Sequence, residues 1–465
     1  MAQANVKRRR APVVTHEGAP AKRIGNEAQL RRSVMSCLLW EDEFYENGQS
    51  IAQRIAEGVA GVPLEVAASI AIEAREQMHL RHVPLLVVRE MARQGGRIVG
   101  DTLARVIQRA DELPEFLALY WQDGKVPISA QVKRGLALAF QKFDAYDLAK
   151  YDRDRAVKLR DVMFMVRPKP KDEAQAATWK ALVDGTLPAP DTWEVALSGG
   201  ANKLEAWTRL LTERKLGGLA LLRNLRNMQD AKVPETLIRE AIADNKFARV
   251  LPFRFIAAAR YAPTMEDALE AAMLRALTDA PKLPGKTALV IDHSASMLAK
   301  LSAKSDMTRF EAACGLAILL REVAESVDVI AYSMPAPAYQ TTGYLPDFQA
   351  PIQVHPERPA LALVPARHGF ALRDALDKAT CWYGTNTEDG KKLADSRGYD
   401  RLIIITDEQS HQALSNPKGK GYVVNVASAK NGIGYGAWHH IDGWSESVVR
   451  YIQAAQATVR TSTSA

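Results

Sequence analysis

The sequence has few cysteines, no long apolar run and an N-terminus that does not resemble a secretory signal. Its three cysteines, Cys37, Cys314 and Cys381, are far apart, and none belongs to a CxxC pair. This usage disfavours a disulfide framework or a thiolate zinc site and fits a reducing cytoplasm. No stretch approaches the ~18 apolar residues of a membrane-spanning helix, so we expect no membrane partner. The basic N-terminus lacks the apolar segment of a secretory signal.

A strong excess of either charge is also missing. The net charge is +7 over 465 residues, so a polyanionic partner should meet a local basic patch rather than a uniformly basic surface. With 47% hydrophobic and 25% charged residues, the chain is able to bury a large core. Its length allows roughly three domains.

The hydrophobic pattern changes near residue 280. Before it, apolar residues recur at helical spacing in segments such as LALLRNLRNMQ, which predicts serial helix pairs and hence an α-solenoid. After the break APKLPGK, short Val- and Ile-rich runs alternate with helical stretches, which predicts a doubly wound α/β domain with a parallel sheet. The predicted boundaries are a basic flexible arm over 1–25, the helical array over 26–280, a linker over 281–286, the α/β domain over 287–456 and a flexible tail over 457–465.

Oxygen-bearing side chains follow two of the predicted strands. Asp292 ends ALVID and is followed by Ser294 and Ser296, while Asp407 ends LIIITD. Because ligands of open α/β sheets lie at the carboxyl ends of the strands, we expect these side chains to converge with Thr385 of the loop CWYGTNTE. Hard oxygens of this kind suit Mg²⁺. The alternative is that the serines only cap the following helix.

Other kinds of chemistry have weaker support. The chain has neither a G-x-S-x-G elbow nor a phosphate-binding loop, and only residue types support a catalytic triad on Ser294. Thr308 is interpreted as the cap of the next helix, and His293 as a solvent-facing residue. His439 and His440 are interpreted as packing or surface residues rather than metal ligands.

The Asp-x-Ser-x-Ser segment, the later Gly-Thr and the strand-terminal aspartate resemble a von Willebrand factor A domain with its metal-ion-dependent adhesion site. The resemblance implies Mg²⁺ or another divalent cation, with Ser294 and Ser296 as direct ligands and Thr385 as the threonine ligand or its neighbour. Asp292 and Asp407 would hold the ion directly or through water. One coordination position would stay open for an acidic residue of a partner.

The helical array joined to such a domain resembles the Ro autoantigen family, whose helical part is called the TROVE module. Residues 159–170, LRDVMFMVRPKP, are similar to a helix of that module that ends in a basic Pro-Lys-Pro segment. Residues 219–229, LALLRNLRNMQ, are similar to its Ala-Leu-Leu-Arg-Asn-Leu motif. The resemblance covers approximately residues 25–455 and implies a ring of HEAT-like repeats closed by the A domain.

Members of that family bind RNA, so the resemblance implies a non-catalytic RNA-binding protein. In the family, single-stranded 3′ ends of misfolded noncoding RNAs enter the ring, small Y RNAs bind its outer surface, and bacterial relatives tether an exoribonuclease through such an RNA. We therefore expect Y-like and other noncoding RNA as partners in RNA quality control or processing, no DNA partner and a monomeric protein. Acidic residues in RVIQRADELPEFL, where eukaryotic relatives carry a histidine, disfavour a eukaryotic-type Y RNA.

Two sets of basic residues are the candidate RNA contacts. Between residues 133 and 171, eleven basic residues outnumber five acidic ones, a local balance of +6. The basic residues are Lys133, Arg134, Lys142, Lys150, Arg153, Arg155, Lys158, Arg160, Arg167, Lys169 and Lys171. The second set is Arg75, Arg81, Arg89, Arg93 and Arg97, of which Arg89, Arg93 and Arg97 repeat every four residues and would line one side of a helix.

Phosphates would contact these basic residues, and bases would stack on Tyr146, Tyr151 and Phe164 nearby. The alternative is a solvated helix face held by ion pairs between residues i and i+4. For Arg223 and Arg226, a salt bridge between repeats is an equally good interpretation.

A second hypothesis concerns proteins rather than RNA. The helical array and the metal site would then form a scaffold that recruits partners, with RNA incidental. A metal-dependent nuclease ranks third, because the oxygen-rich site offers no clear general base. We therefore expect no enzyme.

Overall fold

A computed structural model describes residues 25–35, 48–78, 80–152, 154–198, 202–247, 250, 252–278, 282–300, 306–345, 350–426, 433, 436–442 and 452. These residues form two compact units, one of residues 26–278 and one of residues 282–442. Residues 1–24 of the predicted arm, the predicted tail and Arg153 lie outside the described residues. No helix in the described ranges is both long and apolar enough to cross a lipid bilayer.

The first unit is built from helices, as the helical periodicity predicts. Its α-helices are α1 (Asn26–Met35), α2 (Gly48–Ala60), α3 (Leu64–Glu76), α4 (His82–Gln94), α5 (Ile98–Val106), α6 (Glu112–Tyr120), α7 (Ala130–Phe140), α8 (Ala145–Tyr151), α9 (Leu159–Val166), α10 (Glu173–Asp184), α11 (Trp193–Ser198), α12 (Lys203–Thr212), α13 (Gly218–Asp230), α14 (Glu235–Asp244), α15 (Pro252–Tyr261) and α16 (Glu266–Leu277). Side chains cap several of them: Ser129 begins α7, Asp172 begins α10 and Asn202 begins α12, each accepting a backbone N–H of the first turn.

Helices two apart in the chain pack on one another. In this way α2 contacts α4, α3 contacts α5, α5 contacts α7, α12 contacts α14 and α13 contacts α15. Helices α5 and α7 approach closely, because a Cβ on Gly135 would lie 2.7 Å from the carbonyl oxygen of Gly100. Glycine is therefore required there for the backbones to meet. Stacked helix pairs of this kind are typical of helical-repeat arrays.

One predicted helix face does not form. Helix α4 ends at Gln94, and Gly95 and Gly96 follow with φ of 84° and 106°, backbone angles that favour glycine and end a helix. Arg97 precedes α5 as its N-cap residue. The prediction that Arg97 shares a helix side with Arg89 and Arg93 is therefore wrong.

The second unit is a mixed, mostly parallel sheet with helices. In chain order its elements are β1 (Leu283–Asp292), α17 (Arg309–Val323), β2 (Ala324–Tyr332), β3 (Thr342–Leu345), β4 (Ala350–Gln353), β5 (Leu361–Val364), α18 (Gly369–Asp377), α19 (Thr387–Arg397), β6 (Arg401–Thr406), β7 (Lys420–Asn425) and β8 (Trp438–Asp442). The main sheet has the order β5-β2-β1-β6-β7-β8, and β3 pairs with β4 separately. The prediction of parallel strands holds for β1, β2, β6, β7 and β8, whereas β5 runs antiparallel at the edge.

The first strand begins earlier than predicted. Residues 283–286, which the Pro-Gly content marks as a linker, form the start of β1, and Leu283 already pairs with Ala324 of β2. The register shifts between Leu283 and Lys286, where Gly285 adopts a φ of 83°. Glycine thus allows an irregularity within the strand rather than separating two elements.

Candidate functional site

The carboxyl ends of β1 and β6 lie side by side, because these strands pair in the middle of the sheet. From β1 the chain continues through α17 to β2 on one side, and from β6 it continues to β7 on the other. A reversal of strand order opens a crevice at the strand ends, which is where ligands of such sheets bind. The five predicted metal residues lie at this edge or in the loop before α19.

Asp292 is fully buried, and each of its carboxylate oxygens accepts hydrogen bonds. The backbone N–H of Ser294 donates to Oδ1 over 2.8 Å. The hydroxyls of Thr406 and Thr385 donate to Oδ2 over 2.6 Å and 3.3 Å. Burial, and then the charge of Asp407, raise the pKa of Asp292 to about 6. The predicted convergence of Asp292 with Thr385 is therefore observed.

The two serines lie next to each other at the start of a short 3₁₀ segment, Ala295–Leu298. Their Oγ atoms are 3.0 Å apart, and Ser294 is buried. The N–H of Ala295 donates to the carbonyl of Tyr383 over 3.1 Å, which ties this turn to the loop that carries Thr385. The serines do not cap α17. Thr308 does, in a reciprocal arrangement with Glu311, as predicted.

Asp407 faces a buried cation that the sequence interpretation missed. Nη1 of Arg309 lies 3.4 Å from Oδ2 of Asp407, and both side chains are completely buried. Arg309 is the first residue of α17, so the helix that follows β1 brings a guanidinium to the same sheet edge. A signal was present, because an arginine precedes the apolar run FEAACGLAILL of a helix that must begin at this edge.

These residues fit a small hard cation in chemical type. Asp292, Ser294, Ser296 and Thr385 offer carboxylate and hydroxyl oxygens within one network, which is the donor class of Mg²⁺. Arg309 already neutralises part of the charge on Asp407. In the part of the chain that the structure describes, no group of three or more His, Cys, Asp or Glu side chains has metal-binding geometry. An ion here would thus depend on the hydroxyls.

His293 is buried, so its interpretation as a solvent-facing residue is wrong. Its ring stacks on Trp382 with centroids 4.4 Å apart and meets the edge of Phe310 at 5.1 Å. Nδ1 lies 3.1 Å from the hydroxyl of Thr380. Burial lowers the pKa of His293 to about 3, so the ring is neutral at physiological pH.

Much of the predicted basic surface is paired with acidic groups. Arg89 and Arg93 both contact Asp123 and Glu90, and Arg89 is buried. The remaining pairs are Arg134 with Asp101, Arg155 with Glu115 and Lys158 with Asp154. The ammonium of Lys142 donates to two backbone carbonyls, those of Ala104 and Ile107. Only the pair of Lys158 with Asp154 has the i, i+4 spacing of the ion-pair alternative, while the pairs of Arg134 and Arg155 join segments distant in the chain.

A smaller group of cations remains exposed. Among the described residues, no carboxylate lies within 4.0 Å of Lys133, Arg160, Arg167, Lys169, Lys171 or Arg97. Lys150 also lacks a carboxylate partner and instead lies over the rings of Tyr146 and Tyr151. The predicted salt bridge between repeats is not seen for Arg226, which lies 3.9 Å from Asp230 of its own helix.

Arg160, Phe164 and Arg167 form one exposed strip on α9, hereafter the α9 strip. Arg160 and Phe164, four residues apart, lie on the same side of α9, whereas Arg167 follows as the left-handed C-cap residue; Phe164 is 60% exposed. The segment that follows is anchored by two glutamines. Gln141 donates to the carbonyl of Lys169 over 2.7 Å, and Gln175 accepts the N–H of Lys171 over 3.1 Å. The backbone is thereby held while the lysine side chains stay exposed.

Comparison with known proteins gives a match to a family model and matches to solved structures. A family model described as the TROVE domain matches residues 184–309, which run from the end of α10 to the first residue of α17. The crystal structure of the Ro (RSR) protein of Deinococcus radiodurans matches with a TM-score of 0.56 at 18% sequence identity, covering 90% of this chain and 97% of that chain. No curated protein sequence matches. At this identity the structural likeness establishes a shared fold.

Replacing Arg309 by Met should strongly destabilise the α/β unit, because Asp407 would remain buried beside Asp292 without its cation. We expect a loss of about 3–5 kcal/mol in the free energy of unfolding. The double variant Arg309→Met/Asp407→Asn should lose less than the sum of the single variants. Urea unfolding followed by circular dichroism measures this coupling.

Arg397→Met, which breaks the more exposed pair with Asp328, is the control and should cost at most about 1 kcal/mol. Strictly additive losses would show that Arg309 and Asp407 do not interact.

Acid should weaken the fold through His293. The pKa of His293 is lower in the folded protein, at about 3, than in the unfolded chain, near 6.5. Above pH 6.5 the residue is neutral in both states, and the full stability of the fold is present. As the pH falls from 6.5 towards 3, only the unfolded chain binds the proton, so the free energy of unfolding decreases. Between about pH 7 and pH 5 this residue should cost roughly 2 kcal/mol of unfolding free energy. The variant His293→Gln cannot bind the proton, so its stability should change less over the same pH interval. Identical pH dependence in both proteins would contradict this assignment.

Proposed function

We propose that this chain, a member of the Ro family by its TROVE-domain segment and its Ro-type fold, is an RNA-binding protein. The TROVE-domain match is the observation that carries the proposal, because it identifies the family's characteristic module within this sequence. Binding rather than catalysis is the proposed activity. Neither the TROVE-domain match nor the Ro-type fold indicates a catalytic family.

The α9 strip and the lysines after it are the proposed RNA contact surface of the helical unit. Arg160, Arg167, Lys169 and Lys171 are exposed and lack carboxylate partners among the described residues, so phosphates do not have to displace an existing ion pair. Phe164 offers an exposed ring on which a base is able to stack. A single strand, whose bases are free to stack on such a ring, fits this surface better than a duplex.

The finer proposal concerns which RNAs bind. We take single-stranded 3′ ends of misfolded noncoding RNA and small Y-like RNAs as the ligands, with a role in RNA quality control or processing. An exoribonuclease held through such an RNA is the proposed further member of the complex. The exposed cations with no acid beside them support an extended polyanion as the ligand class.

The edge of the sheet at Asp292 is proposed to hold Mg²⁺ or a similar cation. Ser294, Ser296 and Thr385 would supply hydroxyl oxygens, while Asp292 and Asp407 would hold the ion directly or through water. The bound ion would supply an electrophilic centre for an acidic group of a partner. The network of hydrogen bonds around Asp292 supports this proposal, since it fixes the oxygens before any ion arrives.

RNA binding should weaken when Arg160, Lys169 and Lys171 are all changed to Gln. Each lost phosphate contact should lower the slope of log affinity against log salt by about 0.7, so the triple variant should lose about 2 in slope. Fluorescence anisotropy with an RNA that carries a single-stranded 3′ end, titrated at several salt concentrations, measures this slope.

The matched control removes three paired cations instead, Lys180, Arg209 and Lys215, which contact Asp184 and Asp191. It changes the net charge equally and should keep the slope of the unaltered protein. Equal losses in both triple variants would mean that net charge alone attracts the RNA and that the α9 strip makes no contact. Absent or salt-insensitive binding by the unaltered protein would refute the RNA-binding proposal itself.

Magnesium should raise the thermal stability of the α/β unit if the ion binds as proposed. At a concentration about 100 times the dissociation constant, the gain is roughly 2.7 kcal/mol, or a Tm increase of several degrees. The double variant Ser294→Ala/Ser296→Ala should show no such increase, whereas Ser396→Ala, an exposed serine of α19, should respond like the unaltered protein. Differential scanning calorimetry with MgCl₂ or EDTA makes the comparison. Equal Tm values of the unaltered protein in both solutions would rule out the ion.

A further inference from the structure

A cavity of about 280 Å³ opens on the helical unit along α13 and α15. Its polar lining consists of Arg223, Arg226, Asn227 and Arg254, and Leu219 and Tyr261 are among its apolar and aromatic walls. Residues 184–309, which match the TROVE domain, include the whole lining. The cavity is remote in sequence from the α9 strip and shares no residue with it.

The guanidinium groups of this cavity have little acidic compensation. In the described part of the chain, no carboxylate lies within 4.0 Å of Arg223 or Arg254, and Arg226 reaches only the exposed Asp230 at 3.9 Å. More than a third of the Arg254 side chain is exposed. Even so, the atoms crowded around its guanidinium, and then the charge of Arg223, lower its pKa. Three like charges around one cavity repel one another until an anion arrives.

The remaining walls suit the other parts of a nucleotide. Tyr261 and Leu219 are 42% and 41% exposed, and the guanidinium of Arg226 lies over the Tyr261 ring at 6.0 Å. The side-chain amide of Asn227 donates to Oδ1 of Asn224 over 2.9 Å, which holds it in one orientation. An aromatic face, an oriented amide and several guanidiniums together resemble the surroundings of a stacked base with its phosphate.

We infer that this cavity binds one nucleotide unit, with the phosphate on Arg223 and Arg254 and the base against Tyr261. Its volume, near the lower end for small-molecule pockets, admits one nucleotide but no duplex. The nucleotide is a residue of the RNA strand, so this inference rests on the proposed function. A free mononucleotide offers the same base and phosphate, and the two probes of the experiment distinguish it from an RNA strand.

A larger cavity of the same unit does not share these properties. It measures about 350 Å³ and lies along α12 and α14. Its cations are matched by acids, since Arg214 pairs with Asp244 over 2.6 Å and Glu240 lines the same wall. Charge balance removes the attraction for an anion, so size alone does not select a nucleotide site.

The test uses the full chain, the double variant Arg223→Gln/Arg254→Gln and two probes. The first probe is a fluorescent single-stranded RNA of ten nucleotides, and the second is adenosine 5′-monophosphate, with adenosine as its uncharged counterpart. The double variant should bind the RNA about tenfold more weakly than the unaltered protein. Saturation-transfer NMR should detect the monophosphate on the unaltered protein but not on the double variant, and adenosine on neither.

Two controls separate this site from the α9 strip and from loss of folding. The triple variant Arg160→Gln/Lys169→Gln/Lys171→Gln should keep the monophosphate signal while losing RNA affinity. The variant Arg223→Lys/Arg254→Lys retains the charge and should recover part of the binding. Circular dichroism checks that each variant is folded.

The outcomes are distinguishable. Unchanged binding of both probes by the double variant would overturn the inference and leave the proposed function standing. Monophosphate binding that depends on Arg223 and Arg254, in a protein that does not bind RNA, would refute the proposed function and support the cavity as a site for a free nucleotide. RNA binding that is lost in the double variant, without any monophosphate signal on the unaltered protein, would overturn the assignment of a single-nucleotide pocket.

Discussion

Two carboxylates buried at adjacent strand ends, Asp292 and Asp407, impose the main constraint on the α/β unit. A buried charge is costly unless it is paired and hydrogen-bonded. Asp292 meets this requirement with two threonine hydroxyls and a backbone N–H, and Asp407 with the guanidinium of Arg309. These partners come from β6, α17 and the loop before α19. The same requirement therefore positions every element around the proposed ion site and shapes the crevice there.

The helical unit distributes its charge over many ion pairs, among them the buried pair of Arg89 with Glu90 and several exposed ones. Arg89, Arg93, Arg134 and Arg155 each contact a carboxylate of a neighbouring segment. Such pairs contribute little stability individually, but they occupy cations that sequence counting assigns to RNA. Among the cations that remain are those of the α9 strip with its lysines and those of the cavity around Arg223. Local charge balance, rather than total charge, thus distinguishes proposed binding surfaces from structural ones.

Some features of this chain could be read from the sequence because they depend on local patterns. The apolar run of β6, in which every residue is buried, indicates a central parallel strand. Thr308 with Glu311 three residues later indicates the start of a helix. The aspartates that end strands could be placed at one edge because parallel strands share direction. By contrast, the antiparallel pairing of β5 and the start of β1 at Leu283 depend on partners distant in sequence. The Pro-Gly content of residues 284–285 indicated a linker, whereas in the structure these residues belong to β1, which pairs with β2.

By itself, the sequence determined the division into a helical array and an α/β unit, and the oxygen donors that follow β1 and β6. Periodicity and strand-end composition are local properties, so they could be recognised without coordinates. Only the tertiary structure decided which cations are free, that His293 is buried against Trp382, and that Arg309 reaches Asp407. Each of these depends on side chains far apart in the chain. Burial and pairing, which set the chemistry of a charged or titratable group, arise only when the elements pack.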